Sequence, residues 1–179
     1  IARIHGYDAI RIRRPSSVLS MPVCPEGRVT LRRIRKLLVD RGYQEAITYS
    51  FVDPALQTRF SPELSPIPLV NPLSIDLSVM RTSLWPGLIQ ALQHNVNRQQ
   101  GRVRLFESGL RFISQDNEIK QENLISGIAT GTSWPEQWGE KSRSVDYFDV
   151  KGDIEALLGL TGDARNYIFN KKKHPALHP

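Results

Sequence analysis

The stretch that most constrains the fold begins with a helix pattern and runs directly into a strand pattern. Helical periodicity extends over residues 29–41, with an apolar stripe on one face and basic residues on or beside the other. Gly42 follows, and glycine readily adopts the left-handed conformation that ends a helix. Such a helix must pack its stripe against the rest of the fold. The stripe consists of Leu31, Ile34, Leu37 and Leu38.

Residues 46–52 carry the strand pattern, because large apolar side chains alternate there with small or polar ones. The alternation places Ile47, Tyr49 and Phe51 on one face of a sheet. Asp53 and the proline after it end the pattern. We therefore predict a strand inside an antiparallel sheet, paired with strands from the second half of the chain.

The rest of the chain shows a second helix, a hairpin, a third helix and a last short strand. A run with four prolines, residues 60–72, cannot be a regular central element. Antiparallel strands and separate helices together predict an α+β fold, an antiparallel sheet flanked by helices. The predicted elements are residues 83–98 (helix), 102–112 and 124–130 (hairpin strands), 146–160 (helix) and 167–169 (strand).

Length and composition indicate one domain of a larger protein. The chain has 179 residues, begins at Ile1 rather than methionine, and ends without a tail or a helix end. It lacks an apolar run long enough to cross a membrane and a signal-peptide pattern. Its single cysteine, Cys24, cannot form an internal disulfide, which favours a reducing cytoplasm.

The net charge of +6 is concentrated at one end. Residues 1–59 hold eleven Lys and Arg against five Asp and Glu, whereas residues 60–179 hold thirteen of each. A basic first third could bind phosphate, or it could be an ordinary solvated surface. We favour the second interpretation, since exposed aromatics are not interleaved with these charges.

Familiar catalytic signatures are missing from the sequence. It has no glycine-rich phosphate loop, CxxC or HExxH motif, and its four histidines are scattered. Cys24 lies between two prolines without a nearby base. One acidic group could hold magnesium, but its spacing also suits the acidic first turns of a helix, which we favour. That group is Asp146, Asp149, Asp153 and Glu155.

Six sequence blocks, in this order and spacing, carry a resemblance to a known family. Over nearly its whole length the chain resembles the beta subunit of bacterial phenylalanyl-tRNA synthetase. Residues 174–179 look like the start of another block that is broken off. The six blocks are residues 3–8, 42–54, 78–84, 97–99, 104–109 and 149–153.

The resemblance implies a module with the fold of a class II aminoacyl-tRNA synthetase catalytic domain, incomplete at its C-terminus. It assigns residues 1–14 to the end of a preceding winged-helix-like domain, whose magnesium-binding acids lie upstream. Residues 15–27 become a linker and residues 28–179 the catalytic-like module. In this family the alpha subunit holds the active site, so no catalytic, cofactor-binding or metal-binding residue is expected here.

The family assembles from two alpha and two beta subunits, and the parent enzyme uses ATP and magnesium to act on tRNA(Phe). Its catalytic-like modules meet through the helix of the first class motif, which the helix at 29–41 resembles. This implies an exposed interface for the alpha subunit, beside a basic rim. The candidate interface residues are Leu31, Ile34, Arg35, Leu38 and Arg41.

A degenerate motif strand supports the absence of catalysis. Active class II enzymes bind phosphate with an arginine two residues before a glutamate, on the same face of a strand. The corresponding residues here are Arg104, Leu105, Phe106 and Glu107, so a leucine stands at the arginine position. The module is therefore expected not to activate phenylalanine.

Two other functions remain open from the sequence. One is an adenylate-forming domain that binds ATP through Arg81, Arg98 or Arg104. The other is a tRNA-binding module that uses the basic first third, with an affinity that falls steeply with salt. Binding of ATP to the chain would favour the adenylate-forming domain over the non-catalytic module. Binding of tRNA that weakens with salt would favour the tRNA-binding module.

Overall fold

The computed structural model describes residues 2–11, 13–14, 16–17, 29–115 and 118–177, and it is an α+β fold as predicted. Most of the predicted linker at 15–27 lies outside the described residues. The helices are α1 (Ala2–His5), α2 (Leu31–Asp40), α3 (Pro54–Phe60), α4 (Trp85–Val96) and α5 (Tyr147–Gly159). The strands are β1 (Gln44–Glu45), β2 (Phe51–Val52), β3 (Val79–Met80), β4 (Arg102–Gln115) and β5 (Glu118–Gly131).

A long antiparallel hairpin of β4 and β5 is the centre of the fold. It pairs continuously from Arg102 and Gly131 to Gln115 and Glu118, so the predicted hairpin is confirmed and is longer than its sequence pattern. The short strand β1 joins the other edge of β4 in parallel, with Gln44 opposite Leu105. β4 is therefore the middle strand of its sheet.

The three longer helices form where the sequence predicts them. α2 follows Thr30, whose hydroxyl accepts a bond from the Arg33 amide, and it ends before Gly42, where φ is +80°. α4 has its proline in the first turn. Asp146 caps α5 by accepting bonds from two amides of its first turn.

The faces of β4 pack against different helices. On one face Val103 and Leu105 form a buried cluster with Leu84 and Leu88 of the α4 region. On the other face Phe106 packs against Leu38 of α2 and against Tyr43. Because side chains alternate along a strand, neighbouring residues of β4 contribute to different clusters.

The strand predicted at 46–52 is wrong in its extent. Only its last two residues are in a strand, where β2 pairs with β3 in an antiparallel sheet of two strands. The partner β3 lies in the first half of the chain, so the predicted pairing with strands from the second half is also wrong. Ile47 and Tyr49 are 93% and 71% exposed, so they do not face the core. Alternation can therefore mark an extended segment that is left uncovered on its apolar side.

Two further differences have simple causes. Asp53 and Pro54, read as the end of a strand, instead begin α3, where Asp53 accepts a bond from the Ala55 amide and Pro54 stands at the first helical position. Residues 167–169 are not in a strand; a short 3-10 turn, Ala164–Asn166, precedes them. Aromatic and β-branched residues favour strands only where a partner strand is available.

Candidate functional site

The motif strand carries a buried ion pair on the face that α4 covers. Nη1 of Arg81 lies 2.7 Å from Oε1 of Glu107, and both side chains are almost fully buried. Nε of Arg81 donates to the Leu110 carbonyl at 2.8 Å. A buried pair of this kind is stable only when its remaining donors and acceptors are satisfied.

Thr48 completes the network around this ion pair. Its hydroxyl donates to Oε2 of Glu107 at 2.7 Å and accepts from Nη1 of Arg81 at 3.1 Å. Two glycines make room for the network, because a Cβ atom at Gly109 would collide with Arg81 and one at Gly87 with Thr48. Arg81 is thus held by the protein itself, through Glu107, Thr48 and the Leu110 carbonyl.

A second ionic network lies on the opposite face of β4, around Asp153 of α5. Oδ2 of Asp153 accepts from the Tyr43 hydroxyl at 2.8 Å and from Nη1 of Arg104 at 3.3 Å. Oδ1 accepts from Nη1 of Arg41 at 2.7 Å. Burial, together with this hydrogen bond to a carboxylate, raises the pKa of Tyr43 well above its ordinary value.

The acidic residues at the start of α5 are engaged in the helix cap and in ion pairs. Asp149 accepts two 2.7 Å bonds from Arg143, which hold the pKa of its carboxyl well below the ordinary range. Asp146 is the cap itself. Among the residues that the structure describes, His, Cys, Asp and Glu side chains form no group of three that could hold a metal ion.

The four residues of the degenerate motif strand divide between the two faces. Leu105 and Glu107 share the face under α4, and Arg104 points to the opposite face toward Asp153. Leu105 is packed in the apolar cluster of that face rather than lining an open cleft. An arginine at this position would therefore be buried among leucines.

The structure does not bring together the three arginines proposed for ATP binding. Arg81 and Arg104 form ion pairs on opposite faces of β4. Arg98 lies just after α4, is exposed, and donates to the His94 carbonyl at 3.3 Å. These positions form no common phosphate-binding surface.

Comparison with known proteins agrees with the sequence resemblance. The family model for the phenylalanyl-tRNA synthetase beta chain CLM domain matches residues 10–179. The chain belongs to this family. It is 54% identical to the phenylalanine–tRNA ligase beta subunit of Pseudomonas putida and 52% identical to that of Methylococcus capsulatus, in both cases over its whole length. It spans only 23% and 22%, respectively, of those two proteins.

Two solved synthetase structures are also similar to this beta-chain CLM domain. A pyrrolysyl-tRNA synthetase from Desulfitobacterium hafniense matches with a TM-score of 0.48 and 13% identity, over 75% of this chain and 43% of that one. A histidine–tRNA ligase subunit from Alicyclobacillus acidocaldarius matches with a TM-score of 0.46 and 18% identity, over 84% and 44%.

The residues predicted as the interface of the CLM domain occupy three different environments. Leu38 is only 4% exposed and packs inside the domain, so its assignment to a partner surface is wrong. Arg35 and Arg41 are half exposed but form ion pairs with Glu45 and Asp153. Ile34 is partly buried against the core, and Leu31 is exposed.

The exposed apolar residues of the CLM domain include several that the sequence pattern assigned to the core. Ile47 and Tyr49 are the largest difference, and Val39 of α2 is exposed as well. Val39 was not assigned to the core, because it lies outside the predicted stripe of α2, and its exposure agrees with that pattern. None of the described helices is long and apolar enough to cross a membrane.

Proposed function

We propose that this CLM domain is a non-catalytic module of the phenylalanine–tRNA ligase beta chain, and that it supports assembly with the catalytic alpha subunit. The parent enzyme would be a cytoplasmic heterotetramer of two alpha and two beta chains that joins phenylalanine to tRNA(Phe). ATP and magnesium would act in the parent enzyme and not in this domain. Family membership and the names of the relatives support the proposal.

The observation that carries the non-catalytic role is the buried pair of Arg81 and Glu107. A phosphate-binding arginine must have free N–H groups that face a cleft. Arg81 instead donates to Glu107, Thr48 and the Leu110 carbonyl, beneath the surface of the protein. On the same face, Leu105 occupies the position at which the motif of active class II enzymes has its phosphate-binding arginine.

The assembly role is supported by exposed apolar side chains around α2 and the segment after it. Ile47 and Tyr49 extend from residues 46–49, which belong to no strand. Val39 and Leu31 of α2 are 55% and 41% exposed. Large apolar residues of this kind are often covered by a partner protein.

Amino-acid-dependent exchange of pyrophosphate with ATP tests the non-catalytic role. The chain should show no exchange with phenylalanine, whereas the alpha–beta enzyme in the same assay should. Exchange by the purified chain, at a rate that survives removal of contaminating host synthetase, would overturn the proposal. It would then favour the adenylate-forming alternative.

Co-purification of the beta chain with the alpha subunit tests the assembly role. We expect the double variant Ile47→Asp, Tyr49→Asp to lose co-elution on size exclusion while retaining its circular dichroism spectrum. The control is Val70→Asp, because Val70 is fully exposed and lies outside both α2 and the segment at 46–49. Equal co-elution of the double variant and the control would contradict this interface.

A further inference from the structure

An excess of positive charge surrounds Asp153, and a cleft opens beside it. The guanidinium groups of Arg41 and Arg104 both bond to this one carboxylate. Arg102, two residues before Arg104 on the same face of β4, forms no ion pair with any residue that the structure describes. Three arginines and this one buried carboxylate therefore line the same cleft.

Arg102 is held in place without being neutralised. Its Nη2 and that of Arg104 both donate to the carbonyl of Ser133, at 3.4 Å and 3.2 Å. The Nε atoms of both arginines are buried and have no hydrogen-bond partner within the described part of the chain. Burial, and then repulsion from Arg104, lower the pKa of Arg102. The Arg102 side chain is partly exposed, but its buried Nε donor without an acceptor is costly unless a ligand supplies one.

The cleft next to these arginines has a volume of about 460 Å³. It lies between the end of α2, the start of β4 and the first half of α5, and Trp134 and Phe148 also line it. Two further acids face it: Asp149 is already neutralised by Arg143, and Asp40 is exposed at the rim. The remaining charge of the cleft is therefore positive by about one unit, from three arginines (Arg41, Arg102 and Arg104) against Asp153 and Asp40.

We infer that this cleft binds the phosphate group of a small molecule, with Arg102 and Arg41 as its ligands. Arginine presents a planar fork of donors that matches phosphate oxygens. A phosphate monoester offers three strong acceptor oxygens to these donors, whereas a carboxylate offers two. The site lies on the opposite face of β4 from Leu105, so it is independent of the proposed absence of catalysis.

Binding of inorganic phosphate to the chain tests this inference directly. Isothermal titration calorimetry at constant ionic strength should show saturable binding. Tryptophan fluorescence should also change to saturation, because Trp134 lines the cleft. Acetate is the second probe, and it should bind more weakly because it carries a single charge. Equal responses to phosphate and acetate would overturn the assignment to a phosphate, and no saturable binding of either would overturn the site itself.

Variants of Arg102 then locate the site. Arg102→Gln should weaken phosphate binding roughly tenfold or more, the loss expected for a charge-assisted bond. Arg111→Gln is the matched control, since Arg111 is on the same strand but is paired with Glu122 outside the cleft. Phosphate should raise the melting temperature of the control but not of Arg102→Gln.

Folding of the variant does not decide the outcome. If Arg102→Gln does not fold, Arg102→Lys keeps the charge but loses the planar fork, and it should bind phosphate more weakly than the unmodified chain. Unchanged phosphate binding in either folded variant would overturn the inference. This test does not use pyrophosphate exchange. The phosphate site and the proposed non-catalytic role can therefore fail separately.

Discussion

The hydroxyl of Tyr43 donates a 2.8 Å hydrogen bond to the carboxylate of Asp153, which lies 110 residues later in the chain. This bond joins the segment after α2 to the middle of α5, across the central strand β4. Arg104 of β4 enters the same network, with its guanidinium 5.4 Å from the centre of the Tyr43 ring. One carboxylate thus connects three parts of the fold.

Removal of this carboxylate should destabilise the chain strongly. Asp153→Asn leaves Arg104 buried without its counter-charge, and we expect a loss of about 3–5 kcal/mol in the free energy of unfolding. Tyr43→Phe removes one bond to a charged group and should cost about 1.5–3 kcal/mol. Urea denaturation followed by circular dichroism measures both losses. The control is Arg35→Gln, whose half-exposed ion pair with Glu45 should contribute at most about 1 kcal/mol.

Stability in acid should depend on Asp149. Hydrogen bonds from Arg143 lower its pKa from the ordinary value of 3.8, so the folded state holds the charged form to lower pH than the unfolded state does. Its contribution is complete above pH 3.8 and is lost as the pH falls through the folded-state pKa. The difference in urea midpoint between the unmodified chain and Asp149→Asn should therefore shrink below about pH 4. A difference that stays constant or grows in acid would contradict the role of this carboxylate.

The buried pair of Arg81 and Glu107 should show strong coupling in a double-mutant cycle. Each single variant, Arg81→Met or Glu107→Gln, leaves a buried partner unsatisfied and should cost about 3–5 kcal/mol. The double variant should cost clearly less than the two losses together, because neither charge is then stranded. Additive losses, measured by chemical denaturation, would mean that the two side chains do not interact as the structure shows.

Leu105→Arg should destabilise the chain rather than create a phosphate site. Leu105 is 7% exposed and packs against Leu84 and Leu88, so the new charge would be buried among apolar side chains. Leu105→Met, which keeps the volume, should cost less than about 1.5 kcal/mol. Thermal unfolding of the two variants provides the comparison. An arginine variant as stable as the methionine variant would show that this face of β4 is open.

The sequence was informative where a local pattern determines the structure by itself. The three longer helices have both an apolar stripe and end signals, and the hairpin has two alternating strands joined by turn residues. Whether another element packs over the apolar face of a strand was not predictable in this way, since it depends on distant parts of the chain. Ile47 and Tyr49 have the right alternation, but no element within the described residues packs over them.

The charged networks were even less accessible from the sequence. Arg81 and Glu107 are 26 residues apart, and Arg41 and Asp153 are 112 apart, so spacing alone gives no indication that they meet. Gly109 was one local sign of the buried ion pair, because a larger residue at this position would leave no room for Arg81. Leu38 was misplaced for a related reason: a helical stripe identifies an apolar face but not whether the same protein or a partner covers it.

The pairing of β4 with β5 also has a consequence for the order of folding. The last pair of the two strands is Gln115 and Glu118, so the hairpin can grow from this end by contacts between residues close in sequence, on a timescale of about 1–10 μs for a simple hairpin. The bonds of Asp153 to Arg41 and Tyr43 must instead close loops of more than a hundred residues, which delays them. The network at Asp153 would then form after the main barrier has been crossed, and it would govern how slowly the native chain opens rather than how quickly it folds.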